Sequence, residues 1–337
     1  MYRLLMLIAL FALVAASCGD DDVAAPVTTA VPTTAAPATA GASPPTTAVP
    51  TTAAPPTTAA QKLFPVTVSA LNGDVTIDER PVRIVSISPT ATEMLFAMGA
   101  GGQVAAVDDL SNFPAEAPVT GLSAFNPSLE AIAAFDVDLV VLSFDPGDLV
   151  AGLAALGIPS LLQPGAASLD DAYAQLEQLG VATGNVAGAA GVVAAMQMGI
   201  AEIVAGLPVT ATALTYYHEL DDTFFSATSS TFIGEVYAVL GLENIADAAD
   251  EGGFGFPQLS SEYIIEQDPD LIFLADIKCC AQDATTVGDR PGWSALTALT
   301  TGGVVELDDD IASRWGPRIV DYLKVVADAV ATLSPVS

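Results

Sequence analysis

From about Phe64 onward, short runs of unbroken apolar residues alternate with longer segments whose apolar positions recur every three or four residues. That alternation predicts a parallel α/β architecture, because strands covered by helices on both faces lose the polar half of their pattern. Val82 to Ile87 reads as a strand. Ser88-Pro89-Thr90 then opens a helix, with Thr90 and Glu93 at capping-box spacing and Gly99 closing it. Ser168 to Leu179 is a second helix, with Ser168 and Asp170 at its start. After Gly184-Asn185, the run Val186 to Leu207 has few breakers besides Gly188, Gly191 and Gly199. At 1.5 Å per residue, such a helix reaches roughly 33 Å. It is long enough to be a strut between two lobes, and a helix that merely covers a sheet is the other arrangement open to it.

An internal repeat organises the folded part. Ser128-Leu129-Glu130-Ala131-Ile132 followed by Asp136 to Leu142 recurs as Ser260-Ser261-Glu262-Tyr263-Ile264 followed by Asp268 to Leu274. The offset is 132 residues throughout, without a gap. Each copy predicts a short helix, a turn at Asp-x-Asp and a strand buried on both faces. A period this long does not make a solenoid. Two related lobes account for it.

The N-terminus has a different grammar. Arg3, the apolar run Leu4 to Ala16 and then Ser17-Cys18 make a secretory signal, with a run too short to span a bilayer. Ala15-Ala16-Ser17-Cys18 also resembles the lipobox of bacterial lipoproteins, which implies lipidation at Cys18. Of the 38 residues from 23 to 60, 13 are Ala, 11 Thr and 8 Pro, with no charge and no aromatic. A segment of that kind has nothing to bury and reads as an extended tether. The expected organisation is a signal over 1–18, a tether over 19–62, a first lobe over 63–183, a connecting helix over 184–207 and a second lobe over 208–337.

Charge and composition narrow the function. With 40 acidic against 9 basic residues and a formal charge of -31, the chain is unsuited to nucleic-acid phosphates. His218, the single histidine, leaves no His-rich metal cluster and makes a hydrolytic triad a poor fit. Gly121-Leu122-Ser123-Ala124-Phe125 lacks the second glycine of a nucleophile elbow. The cluster Gly99 to Gly102 follows a helix instead of opening one, so it reads as a cap and turn and not as a dinucleotide loop. Non-enzymatic binding, with no resident cofactor or metal, is the expectation. Two features stay open: His218 after Tyr216-Tyr217 as a haem ligand or a structural residue, and Cys279-Cys280 as thiols, a strained bridge or a soft-metal site.

The ordered motifs Arg83 to Glu93, Asn126-Pro127-Ser128-Leu129-Glu130, Leu156-Gly157-Ile158-Pro159, Leu242-Glu243-Asn244-Ile245, Pro257 to Glu262, Arg290-Pro291-Gly292-Trp293 and Gly316-Pro317-Arg318 resemble one family. It comprises the substrate-binding proteins of ABC importers for cobalamin and ferric siderophores, and the resemblance covers about residues 64 to 333. It implies two Rossmann-like α/β lobes, each with a central sheet, joined by one long helix, with the ligand in the cleft between them. It further implies an ABC permease and its ATPase as partners, docked through Glu130 and Glu262. The protein is then a monomer on the extracytoplasmic face of the cell membrane, held by its lipid, with a ferric siderophore or a corrinoid as ligand. A haem receptor of the same class and a transporter-independent surface sensor are the alternatives. Cleft candidates are Phe125 and Phe144 on the first lobe and Phe225, Phe256 and Trp315 on the second. Arg314 and Arg318, flanking Trp315, are candidates for a ligand carboxylate or an iron-bound oxygen. The excess of acid favours a neutral or cationic complex over an anionic one.

Overall fold

The computed structural model describes residues 63–208 and 213–333; the signal segment, Cys18 and the tether lie outside them. The described chain starts with an antiparallel hairpin of β1 (Val66–Ala70) and β2 (Gly73–Ile77). The first lobe then follows as β3 (Ile84–Ile87), α1 (Pro89–Ala97), β4 (Val104–Asp108), β5 (Val119–Leu122), α2 (Leu129–Ala133), β6 (Leu139–Leu142), α3 (Leu149–Ala155) and β7 (Ser160–Leu162). Two helices come next, α4 (Leu169–Thr183) and α5 (Val186–Gly206). The second lobe begins with β8 (Thr215–Glu219), α6 (Phe232–Val239), β9 (Glu243–Asn244), α7 (Ser261–Gln267) and β10 (Leu271–Leu274). It ends with α8 (Ala284–Gly288), α9 (Thr297–Thr301), β11 (Val304–Glu306), α10 (Asp309–Ala312) and α11 (Ile319–Leu333).

Two separate parallel sheets result, ordered β5-β4-β3-β6-β7 and β11-β10-β8-β9. The sequence repeat is a repeat of hydrogen bonding. Ser128 and Ser260 cap α2 and α7, accepting from the amides of Ala131 and Tyr263. Asp136 and Asp268 turn the chain at φ of 49° and 44°, a conformation that Asp tolerates better than most residues. Asp138 then accepts from the amides of Val82 and Arg83, at the entry to β3. Asp270 accepts from the amide and hydroxyl of Thr215, where β8 begins. Each copy therefore fixes the register of its strand against the neighbour that starts the sheet.

One core runs through both lobes. Leu176 and Leu179 of α4, Val193, Met196 and Ile200 of α5, and Leu323 and Val326 of α11 belong to the same buried cluster as Ile84 and Leu139 in the first sheet and Tyr216 and Phe273 in the second. The far face of each sheet has its own smaller cluster. Two glycines of α5 are contact points, not breaks. A Cβ at Gly188 would lie 2.0 Å from the carbonyl oxygen of Met98, and one at Gly199 would lie 2.8 Å from Val320 of α11. Those close approaches weld the long helix to both lobes.

The expected Thr90–Glu93 capping box is not formed. Ser88 caps α1, accepting from the amide of Ala91, with Pro89 in the first turn where its missing N–H costs nothing. Glu93 is left free for a longer reach.

Candidate functional site

Loops leaving the C-terminal ends of the parallel strands meet where the lobes face each other, the usual position for ligands in open α/β sheets. A cavity of about 550 Å³ lies there. The first lobe contributes Gly165, Ala166 and Ala167 beyond β7. The second contributes Ser230 to Ile233 at the start of α6, the loop Gly253 to Phe256, and Ser313 and Trp315 beyond α10. The Trp315 indole N–H donates to the side-chain oxygen of Gln175 on α4 at 2.8 Å, and its ring lies over Gly165, 3.8 Å from where a Cβ would stand. One side of the cavity is thus a tryptophan pinned across the lobe boundary. The lining has no charged side chain, only aromatic and aliphatic groups, the three hydroxyl residues Ser230, Thr231 and Ser313, and small residues.

The charged groups nearby are already matched with one another. Glu93 of α1, almost wholly buried, accepts from Arg314 Nη1 at 2.8 Å and from Arg318 Nε at 2.8 Å, with a further short contact to Arg318 Nη2. Arg314 also binds Asp310 at 2.7 Å, Asn112 at 3.0 Å and the carbonyl of Leu110 at 3.1 Å. Arg318 stacks its guanidinium 4.2 Å over the Phe113 ring. Both arginines therefore bridge the lobes, since a carboxylate buried this deeply demands cationic partners. Lys278 is held by Asp308 and Asp310. Arg290, from the Arg-Pro-Gly-Trp motif, is clamped by Glu219 through two 2.6 Å bonds and lies over Trp293 and Phe224.

His218 is fully buried, with Nδ1 2.7 Å from the hydroxyl of Tyr237, and burial pushes it down to about 3. It is a neutral core residue with no path to a ligand in the cleft. Tyr216, Tyr217, Tyr237 and Tyr322 are buried as well. Cys279 and Cys280 are free thiols, and burial together with the neighbouring Cys280 thiol pushes Cys279 up to about 12.

The chain matches the family described as Periplasmic binding protein over residues 84–311. A cobalamin-binding protein of Halobacterium salinarum is 32% identical over 277 residues, covering 79% of this chain and 74% of that protein. The chain belongs to the periplasmic binding protein family. An ABC transporter substrate-binding lipoprotein of Bacillus subtilis is 28% identical over 279 residues, covering 80% of this chain and 86% of that one. Among solved structures, the heme-binding protein RhuT from Roseiflexus sp. RS-1 superposes with a TM-score of 0.66 at 24% identity, covering 75% of this chain and 98% of its own. The vitamin B12-binding protein BtuF of Vibrio cholerae gives 0.61 at 22%, covering 76% and 98%. These likenesses fix the fold of this binding protein as two lobes with parallel sheets and one long helix.

Of the aromatic candidates, Phe256 and Trp315 line the cavity of the binding protein. Phe125 and Phe144 sit outside that lining, paired with each other on the first lobe at 6.3 Å between ring centroids and both exposed. Phe225 also sits outside that lining, joined to Gln258 by an isolated antiparallel bridge. Phe232, Ile233 and Phe254 also line the cavity and were not singled out in the sequence. For Phe254 a signal was there to read: the glycine-spaced run Gly252-Gly253-Phe254-Gly255-Phe256 just ahead of the second repeat copy. Glu130 and Glu262 are exposed in the first turns of α2 and α7. The Glu130 carboxyl is held below its ordinary range, first by the helix-start amide of its own residue and then by the Ser128 hydroxyl. Glu262 stands on the rim of a separate second-lobe cavity, beside Asp222, Phe224 and Arg290.

Proposed function

We propose that this protein captures a corrinoid between its lobes and presents it to the permease of an ABC importer. The class, a substrate-binding component of ABC transport, follows from family membership; the corrinoid is our reading of the cleft. The observation that carries it is the chemistry of the lining, which is aromatic and hydroxylic with no free cation and no side chain fit to ligate iron. Anionic siderophores and haem propionates need cations, yet the arginines beside the cleft are spent on Glu93 and Glu219. Haem iron needs an axial ligand, and His218 and the tyrosines nearest it are buried. A corrinoid carries its own metal ligands and a periphery of neutral amides, so an apolar slot with hydroxyls and backbone groups suits it. The name of the halobacterial relative points the same way.

In this reading the lipid at Cys18 and the Thr/Ala/Pro tether hold the binding protein at the extracytoplasmic face, and Glu130 and Glu262 dock it onto basic residues of the permease. The welded helix keeps lobe closure small. The test is a titration of the full chain with cyanocobalamin, haem and a ferric hydroxamate, followed by quenching of Trp315. Saturable quenching by cyanocobalamin alone is the expected result. Tight binding of haem or the hydroxamate, with none of cyanocobalamin, would defeat the assignment.

A further inference from the structure

We infer that Phe254 is an aromatic jaw that closes over the outward face of the bound corrinoid and sets the affinity of the cleft. The inference rests on the corrinoid reading and deepens it by assigning a side chain that no sequence motif singled out. At 86% exposure, Phe254 is the most exposed large apolar residue among the described residues, and it lines the cleft cavity. Such exposure is costly for a phenyl ring unless something covers it.

The display is built, not frayed. Asp250 accepts from the amides of Phe254 at 3.1 Å and Gly255 at 2.7 Å, one oxygen to each. The carbonyl of Gly255 accepts from the amide of Thr228 at 2.8 Å, tying the loop to the start of α6. Gly253 and Gly255 adopt φ of +65° and +85°, conformations that L side chains resist. The ring itself rests on Gly252, where a Cβ would stand 2.5 Å from two of its carbons. Three glycines and an aspartate thus fix where the ring points, while no other side chain covers it. The cleft supplies the missing partner: Phe256 and Trp315 form the inner wall, and Phe254 stands at its lip.

The experiment compares the full wild-type chain with Phe254→Ala, Phe254→Trp and Gly252→Ala in cyanocobalamin titrations, with thermal melts alongside. Phe254→Ala should weaken binding by about 10- to 100-fold, the worth of one buried phenyl ring. Its melting temperature should not change, since the ring packs on no core. Phe254→Trp should keep wild-type affinity. Gly252→Ala should weaken binding although the phenylalanine remains, because the added methyl drives the ring from its seat. Wild-type affinity in Phe254→Ala or Gly252→Ala would overturn the inference and leave the corrinoid reading standing. A wild-type chain that does not bind cyanocobalamin would remove both.

Discussion

Replacing Glu93 with alanine would leave two second-lobe guanidinium groups, those of Arg314 and Arg318, without the first-lobe carboxylate that holds them at the lobe boundary. The Glu93 side chain is 1% exposed, Arg314 7% and Arg318 16%, so water cannot take over the role of the carboxylate. Breaking a buried ion pair by deleting one partner costs about 3–5 kcal/mol, most of it the penalty of the charge left behind. Here Arg314 keeps Asp310 and Asn112, whereas Arg318 keeps only the face of Phe113. The lower half of that range, about 3–4 kcal/mol, is therefore the expected loss. At about 2 °C per kcal/mol for a chain of this size, the melting temperature should fall by roughly 6–8 °C. Glu93→Gln keeps an acceptor oxygen and loses the charge, so about 1.5–3 kcal/mol is expected for it. Thermal and urea denaturation followed by far-UV circular dichroism would measure both. A Glu93→Ala protein melting within 2 °C of wild type, by the same scaling, would refute the claim that this cluster holds the lobes together.

Three further expectations follow from other parts of the molecule. Asp276, buried beside Glu219 with neither oxygen hydrogen-bonded, is raised from 3.8 to about 7, first by burial and then by the Glu219 charge, with Arg290 opposing and Asp309 and Tyr217 also nearby. The folded state therefore holds a proton that the unfolded chain has released, so stability should fall as pH rises from about 4 to 7 and level off above. Asp276→Asn should flatten that slope and be more stable than wild type at about pH 8; urea titrations showing the same slope in both proteins would contradict this. Gly188→Ala should destabilise by about 1–3 kcal/mol because its methyl meets the Met98 carbonyl, whereas Gly191→Ala, with open space around it, should stabilise by about 0.5–1 kcal/mol; equal melting temperatures would argue against the weld between α5 and α1. Charge reversal at Glu130 and Glu262 together should leave ligand affinity intact and abolish transporter-dependent uptake, and retained uptake would end the docking proposal.

Much of the architecture was legible along the chain because it depends on neighbours in sequence. The repeat with its capping serines and turning aspartates, the buried strands, and the helix from Val186 to Gly206 all follow from local periodicity and local hydrogen bonding. The resemblance of ordered motifs to a family of importer-binding proteins extended that reading to two lobes and a cleft. What stayed hidden depends on residues far apart in the chain. Glu93 has the spacing of a helix cap, yet Arg314 and Arg318, 221 and 225 positions later, claim it. The same pairing takes those arginines off the cleft wall, where their place beside Trp315 had put them. Phe254 is one phenylalanine among 13 in the sequence, and its composition cannot distinguish a packed ring from a displayed one. Asp250 and the three glycines are its neighbours in the chain, but only folding brings Thr228 against Gly255 and leaves the ring in solvent with no side chain over it. Local pattern thus determined which elements form, whereas the partner of each buried charge and the covering of each aromatic ring were decided by which surfaces the tertiary fold presses together.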